Sequence, residues 1–572
     1  MIVSTRSRHG LLRSPDWRWR AGATAAWESP TASRAASAQS ARCLGSSAWC
    51  LKRTQLRNSE STSRVRLEAT VRGSNVKRII VIGGGAAGLG AAYKLKRASQ
   101  EGHEVEILLV EKSRIGGKVA TEMVDHDGEQ FTVDGGPDCF LTEKPAVHRI
   151  AQSLGIFDDE LPTDDSRKKT LILSRGRLYE MPDGIMMFAP TKFVPFATTG
   201  LFSWPGKFRM AMDLFIPPKT VAEGTLNDET LEDFVVRRMG RECLDRLAEP
   251  LVGGVHASDP TMMSLAATFP RLLEMEQNYG SLMRAFLASR KKVEQMRKKY
   301  PPKPGAKPKT FFTTMIGGMQ RLTDGMAGAI GAENIKTGVS AEKLERTEDG
   351  RWTVTLSDGS VETSDAVIVA TETFAAEPLL RGVDNDIANA LAGIPTSSSA
   401  TVSIAFEESE VGIDMNAFGV LCPLVENRAL MAATYSSTKW PGRAPKGKVM
   451  FRGFVGGPQN QEIMEKSDEE LFEIVLSEMR SILGIRADAK PLFKRLFRWH
   501  RGMPQYTLGH LDRVAQIEER CEATPGLALA GGSYRGVGVP NCIESGERAA
   551  TKVLTEWGIE LEEDRVEEKR AF

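Results

Sequence analysis

"KRIIVIGGGAAGLGAAYKLK", residues 77–96, runs an apolar segment into three consecutive glycines and then into a helical pattern. The spacing Gly83-Gly84-Gly85-Ala86-Ala87-Gly88 satisfies G-x-G-x-x-G. Gly83 permits a tight turn, Gly85 lets backbone approach a pyrophosphate, and Gly88 lets a helix pack closely on a strand. The phosphates then sit at the positive end of that helix. The pattern predicts a strand from Arg78 to Ile82 and a helix from about Ala87 to Ser99. A second strand follows in "EVEILLVEK" (104–112), ending in Glu111. This is a βαβ unit of about 30 residues. Glu111 would accept hydrogen bonds from ribose hydroxyls and would repel a 2′-phosphate, which argues against NADP. Taken alone, the loop suits a dehydrogenase, a flavin oxidase, or a turn that only packs a helix.

The bulk numbers exclude several classes. A chain of 572 residues with 41% hydrophobic and 26% charged residues is long enough for two or more globular domains. The balance of 75 Lys+Arg against 74 Asp+Glu gives no global field to attract nucleic acid. Seven cysteines without a C-x-x-C pair suggest neither zinc nor a disulfide framework, and fit a reducing compartment. No uncharged apolar run reaches the roughly 18 residues a membrane-spanning helix needs. Residues 1–75 stand apart, with 13 Lys/Arg against four acidic residues. That composition reads as a transit-like leader, while four tryptophans (Trp17, Trp19, Trp27, Trp49) read as an overextended start.

"KSRIGGKVAT" (112–121) directly after Glu111 brings Arg114 and two bare backbone positions, Gly116 and Gly117, to the same phosphates, flanked by Lys112 and Lys118. It looks like the R-x-G-G signature of flavoproteins with two dinucleotide-type domains. "VDGGPDCF" (133–140) offers Gly135 and Gly136 for close approach to a cofactor. Residues 145–300 are mainly helical in pattern, with "LEDFVVRRMGRECLDRLAEPLV" (231–252) amphipathic, and lead into the linker "PPKPGAKPK" (301–309). Strands are read in 351–358, 365–371 and 399–455, and a helix over 467–483. The chain closes on "GLALAGG" (526–532), a second glycine loop and a last helix, with a solvated charged tail after Trp557.

The block "ALAGGSYRGVGVPNCIESGERAA" resembles the closing flavin motif of the amine-oxidase-like superfamily, with Gly531, Gly532, Gly536 and Gly538 passing over the cofactor and Val539 near the ring. Cys542 is read as a buried structural cysteine rather than a covalent anchor. From Lys77 to Trp557 the chain resembles the oxygen-dependent porphyrinogen oxidases of haem biosynthesis. The resemblance rests on 181–217, on "EPLVGGVHASDPTMMSLAATFP" (249–270), "TTMIGGMQRL" (313–322) and "WHRGMPQYTLGH" (499–510). "GPDCFLTEKPAV" and the 181–200 block are most similar to the Gram-positive-type coproporphyrinogen III oxidases. Lys144 matches the lysine those enzymes carry there.

The resemblance implies an α/β + α architecture. A Rossmann-like FAD-binding domain is assembled from both chain ends (76–145, 310–375 and 521–558). A helical, possible membrane-facing region spans 146–309, a mixed α+β substrate domain 376–520, and a charged tail 559–572. It implies noncovalent FAD held by Gly83, Gly84, Gly85, Ala86, Ala87, Gly88, Glu111, Lys112, Arg114, Gly116, Gly117, Lys118, Gly135, Gly136, Val339, Gly531, Gly532, Gly538 and Val539. Substrate contacts fall to Lys144 and to Arg167. The latter is several residues out of register with the arginine that the plant type sets before an aromatic strand. Ser258 departs from the glycine usual in the family's A-G-D-P. The implied reaction is a six-electron oxidation of coproporphyrinogen III by O2 with release of H2O2, and protoporphyrinogen IX is the alternative substrate. No catalytic triad or metal is expected, and His256 and His510 are read as structural. Expected partners are porphyrinogen and O2, with transient contact to ferrochelatase, a homodimer, and membrane contact that is at most peripheral through 184–216. The location is cytoplasmic, or an organelle if the leader is a transit peptide. Competing readings are an amine oxidase, a carotenoid desaturase, or a non-catalytic flavin- or porphyrin-binding protein.

Overall fold

The structure, a computed structural model, describes residues 76–164, 169–220, 227–299 and 310–562, all within the unit Ser74–Phe572. The leader, Arg167, the linker 301–309, the end of the tail and the side chain of His256 lie outside the described residues. The opening segment forms strand β1 (Lys77–Ile82), helix α1 (Ala86–Gln100) and strand β2 (Val105–Glu111). Three later strands join them: β3 (Ile335–Thr337), β4 (Ala366–Val369) and β5 (Leu527–Leu529). All neighbours are parallel, in the order β3-β2-β1-β4-β5. A strand buried on both faces must be apolar throughout, which is why β1 reads Ile-Ile-Val-Ile. Ile79 and Val81 enter the core under α1, while Ile80 and Ile82 enter another core with Trp352 and Val354.

The closing helix α2 (Val539–Glu556) crosses α1 at glycines. A Cβ at Gly546 would stand 1.9 Å from the Ala87 carbonyl oxygen, and one at Gly90 would stand 2.8 Å from that of Ile543. The opening βαβ segment and the closing helix therefore meet backbone to backbone.

A seven-stranded sheet takes Phe493–Pro504, Thr396–Glu407, Lys448–Gly456, Leu430–Tyr435, Gly419–Leu421, Thr170–Ser174 and Arg177–Glu180 in that order. The helix Asp468–Leu483 packs on it through Leu471, Val475 and Met479, and starts at a Ser467–Glu470 capping box. A helical layer around Phe234, Leu244 and Phe286 completes the unit.

Two expectations change. The 231–252 helix is broken: Gly240, at φ +91°, ends Leu231–Met239, a π turn spans Leu244–Ala248, and Glu249–His256 follows with Pro250 in its first turn. A positive φ cannot continue a helix, and proline lacks the N–H that would bond back. The tail is not solvated from its start either, since Leu561 is fully buried in the core under α1 and α2.

The crossing makes a direct prediction. Gly546→Val should cost about 3 kcal/mol by overpacking. Gly328→Ala, whose Cβ meets open space in a helix interior, should stabilise by about 0.5–1 kcal/mol. Denaturant unfolding of both variants measures the contrast.

Candidate functional site

The carboxyl ends of the five parallel strands converge on one crevice. Gly83 N donates to Val110 O at 2.8 Å, Val339 N to Glu111 O at 3.2 Å, and Ala530 N to Val369 O at 3.0 Å. The strand order reverses between β1 and β4, which is where open α/β sheets bind ligands. Gly83 occupies that point at φ +107°, and a Cβ there would lie 2.8 Å from Ala370 O. Gly88 packs so near that its Cβ would stand 1.8 Å from Gly83 O, while a Cβ on Gly85 would meet nothing within 4 Å. Gly85 caps the N-terminus of α1, so bare backbone opens onto free space at a helix start, with Ala86 half-buried and Ala87 buried in the first turn. That setting suits a pyrophosphate.

Glu111 closes this loop. Its Oε2 accepts from Gly84 N at 2.7 Å and its Oε1 from Ser113 N at 2.8 Å. Lys112 is exposed beside it. The second glycine loop lies against the first: Gly116 N donates to Gly84 O at 2.8 Å, and a Cβ on Gly117 would approach Gly85 Cα to 3.2 Å. Arg114 is turned onto its own loop, donating to Gly117 O at 2.6 Å and to Gln320 Oε1 at 2.6 Å. It thus braces the two bare glycines rather than pointing away from them. Lys118 pairs with Glu372 at 3.1 Å, just beyond β4.

Gly135 and Gly136 join this crevice to the large sheet. The Gly135 carbonyl accepts from Thr401 Oγ1 at 2.8 Å, Arg452 Nη2 at 3.0 Å and Trp499 Nε1 at 3.0 Å. Arg452 also donates to Gly136 O. Next to this turn Asp138 takes Lys439 at 3.3 Å and Trp440 Nε1 at 3.0 Å. The Lys439 ammonium lies 5.0 Å from the Phe312 ring centre. Burial pushes the Asp138 carboxyl up, but Lys439 and Arg452 outweigh it and hold it well below the usual carboxylate range. Burial pushes the neighbouring Cys139 thiol up to about 12.

At the far end, Gly531 N donates to Ser545 Oγ at 3.0 Å, and Gly538 caps α2, with Val539 buried behind it. Tyr506 ties this loop, donating to Gly532 O at 2.5 Å and accepting from Gly536 N at 2.7 Å. His510 stacks on Tyr506 with ring centres 4.0 Å apart, and its Nε2 bonds Tyr534 O at 2.8 Å. Burial lowers its pKa, so this histidine stays neutral and braces the loop.

Lys144 is half-buried at the N-cap of Pro145–Ser153, with no ion pair among the described residues. The sequence reading passed over Tyr506, Arg452, Lys439 and Trp499. Tyr506 and Trp499 stood in the quoted block 499–510, where a polar aromatic beside glycine-rich partners was the available signal.

The sequence profile of the flavin containing amine oxidoreductases matches residues 86–554, so the chain belongs to that family. It is 32% identical over 486 residues to the coproporphyrinogen III oxidase of Bacillus subtilis, covering 84% of this chain and 98% of that one. Against chloroplastic protoporphyrinogen oxidase 1 of Arabidopsis thaliana it is 28% identical over 494 residues, covering 83% and 87%. A solved Exiguobacterium structure assigned as a protoporphyrinogen oxidase superposes with a TM-score of 0.72 at 28% identity, covering 85% of this chain and all of that one. Cyclohexylamine oxidase of Brevibacterium oxydans, at 17% identity and a TM-score of 0.59, shares the fold.

Asp138→Asn removes the counter-charge of a lysine that is only 12% exposed, and should cost about 3 kcal/mol at neutral pH. A depressed folded pKa stabilises above the unfolded value and is lost as pH falls through the folded one. The gap to wild type should therefore persist down to about pH 4 and close only in stronger acid. Urea unfolding across pH measures it.

Proposed function

We propose that this member of the flavin containing amine oxidoreductase family is an FAD-dependent porphyrinogen oxidase acting on coproporphyrinogen III. The observation that carries the reading is the end-to-end match to a coproporphyrinogen III oxidase, 98% of whose length is covered. The crevice supports it, because bare glycine at a helix N-terminus, a carboxylate at the end of β2 and a second glycine loop suit an extended dinucleotide. Bound FAD would supply a hydride acceptor that O2 reoxidises, releasing H2O2. The chain's own part is to hold and to exclude. Gly83–Gly88, Glu111, Val339 and the 116–117 loop would cradle the dinucleotide. Arg452 and Tyr506 lock the backbone of the turns facing it. Burial pushes the Cys542 thiol up to about 11, which supports a structural role for it and fits a noncovalent flavin.

The division into a nucleotide domain built from 76–145, 310–375 and 521–558, with 146–309 and 376–520 on the substrate side, is part of the same reading. So are a cytoplasmic location and the possible homodimer. Among the described residues no helix is long and apolar enough to cross a membrane. One face is nonetheless apolar: Phe193, Val194, Trp204, Phe208, Met212 and Phe215 are each at least half exposed. The basic helix Leu282–Lys299 contacts this region. Aromatic tips beside lysines suit peripheral contact with an anionic bilayer.

The purified chain should carry noncovalent flavin and convert coproporphyrinogen III to fluorescent porphyrin with H2O2, faster than protoporphyrinogen IX. Turnover of neither would end the reading. Four propionates need cations, and the Lys144 ammonium has no anion to satisfy among the described residues. Lys144→Ala should raise KM for coproporphyrinogen several-fold at constant kcat, as loss of a charge-assisted bond would. Flotation with anionic vesicles should fall when Phe208 and Phe215 are both changed to Ser; unchanged flotation would remove this face from membrane contact.

A further inference from the structure

Ion pairs mark both edges of the parallel sheet. At the amino ends of the strands, Lys77 pairs with Asp365 at 3.8 Å and Arg78 with Glu362 at 2.9 Å. These tie the start of β1 to the chain entering β4, on the edge opposite to the one where such sheets bind ligands. Lys118 and Glu372 pair at the carboxyl edge. Lys118 follows Gly117, where a Cβ would stand 3.2 Å from Gly85 Cα. Glu372 stands three residues beyond the end of β4 at Val369. In between, a Cβ on Gly83 would lie 2.8 Å from Ala370 O and 3.1 Å from Thr371 Cγ2. The two side chains therefore meet across the loops that follow β1 and β4, the point where the strand order reverses.

The main chain is fixed on both sides of this bridge. Gly116 N donates to Gly84 O at 2.8 Å, Gly84 N to Glu111 Oε2 at 2.7 Å, and Ala370 N to Ile82 O at 2.8 Å. The Lys118 carbonyl abuts Gly136, where a Cβ would stand 1.8 Å from it. Arg114, on the same loop, is engaged by the carbonyls of Gly117 and Val119 and by Gln320, which leaves the bridging to Lys118. Glu372 is the N-cap of the helix Thr373–Arg381 but makes no side-chain cap hydrogen bond, so its carboxylate is left to Lys118. The ammonium charge also reaches the Cys542 thiol in the first turn of α2. With the backbone held, the movable part of the bridge is the two side chains, which are 38% and 42% exposed. A pair so wetted is weak and screened by salt, so it breaks readily.

We propose that Glu372 is a positioning residue of the dinucleotide site. It draws Lys118 across the point of strand reversal, and the pair is a strap that the flavin dinucleotide passes only when the pair breaks, and that re-forms behind it. The inference rests on the FAD part of the reading above and not on the choice of porphyrinogen. A strap that is whole before and after passage sets the rates of loading and release together, and leaves the equilibrium between them nearly unmoved. A carboxylate that merely repelled the phosphates would do the reverse and change the affinity.

The test compares the flavin-loaded full chain as wild type, Glu372→Gln, Lys118→Met and the double variant. The rate and the end point of free-FAD fluorescence on serial dilution give the release rate and Kd, and their ratio gives the loading rate. Glu372→Gln should speed release and loading alike by about two- to fivefold, the size expected of a half-exposed ion pair. Its Kd should stay within about twofold of wild type. In the Lys118→Met background the same change should do nothing further, because the pair is already lost. Added KCl should speed wild-type release and leave release from Glu372→Gln flat. Unchanged rates in Glu372→Gln, a tighter Kd with slower release, or an undiminished effect in the Lys118→Met background overturns the strap. A wild-type chain that takes up no FAD overturns the parent reading and the strap with it. Flavin uptake without turnover of either porphyrinogen overturns the parent reading alone.

Discussion

At Gly546 the closing helix comes so near Ala87 that no side chain fits between them, and the rest of the architecture depends on that contact. It holds α2 against α1 by backbone, while Gly88 sets α1 equally close to the turn at Gly83. The loops after β1 and after β5 are thereby placed relative to each other by van der Waals contact between main chains. The candidate cofactor site draws on residues more than four hundred positions apart and would need such rigidity. Glycine is the one residue that permits it, at the cost of conformational entropy in the unfolded chain.

A second link runs through a single carbonyl. Three donors from three strands of the large sheet meet on Gly135 O, with Phe497 packed where a Cβ would be. Three donors saturate one carbonyl oxygen, so the turn has no alternative partner to relax toward. Behind it, Asp138 and Lys439 bury opposite charges together. That pair adds little net stability over an apolar core, but it makes any misplacement of the turn expensive.

Much of the fold was legible because it rested on local patterns. The apolar runs around 78–82 and 105–111 predicted two strands, and the glycine spacing predicted the turn and the helix start to within a residue. The 231–252 segment misled because apolar periodicity survives a break: Gly240 and the π turn reset the helix without erasing its amphipathic signal. Leu561 was hidden for the opposite reason, as one apolar residue in a charged tail. The glycines of the candidate site stood out by spacing, whereas Arg452, Lys439 and Tyr506 did not. Their significance comes from long-range pairing, such as strand Lys448–Gly456 against Thr396–Glu407, which no local window contains.

What the sequence determined by itself was the strand–turn–helix–strand opening of the α/β layer, because turn, strand and helix signals act over a few residues. The resemblance carried over whole blocks pointed to porphyrinogen chemistry, for the same reason that contiguous segments can be compared directly. Tertiary structure alone decided which polar side chains brace the glycine turns. Arg114 turned onto its own loop, Tyr506 bridging two glycines and Asp138 paired with Lys439 are all outcomes of packing. Whether a buried charge finds a partner depends on distances between segments remote in the chain, and those are set only when the sheets and helices close on one another.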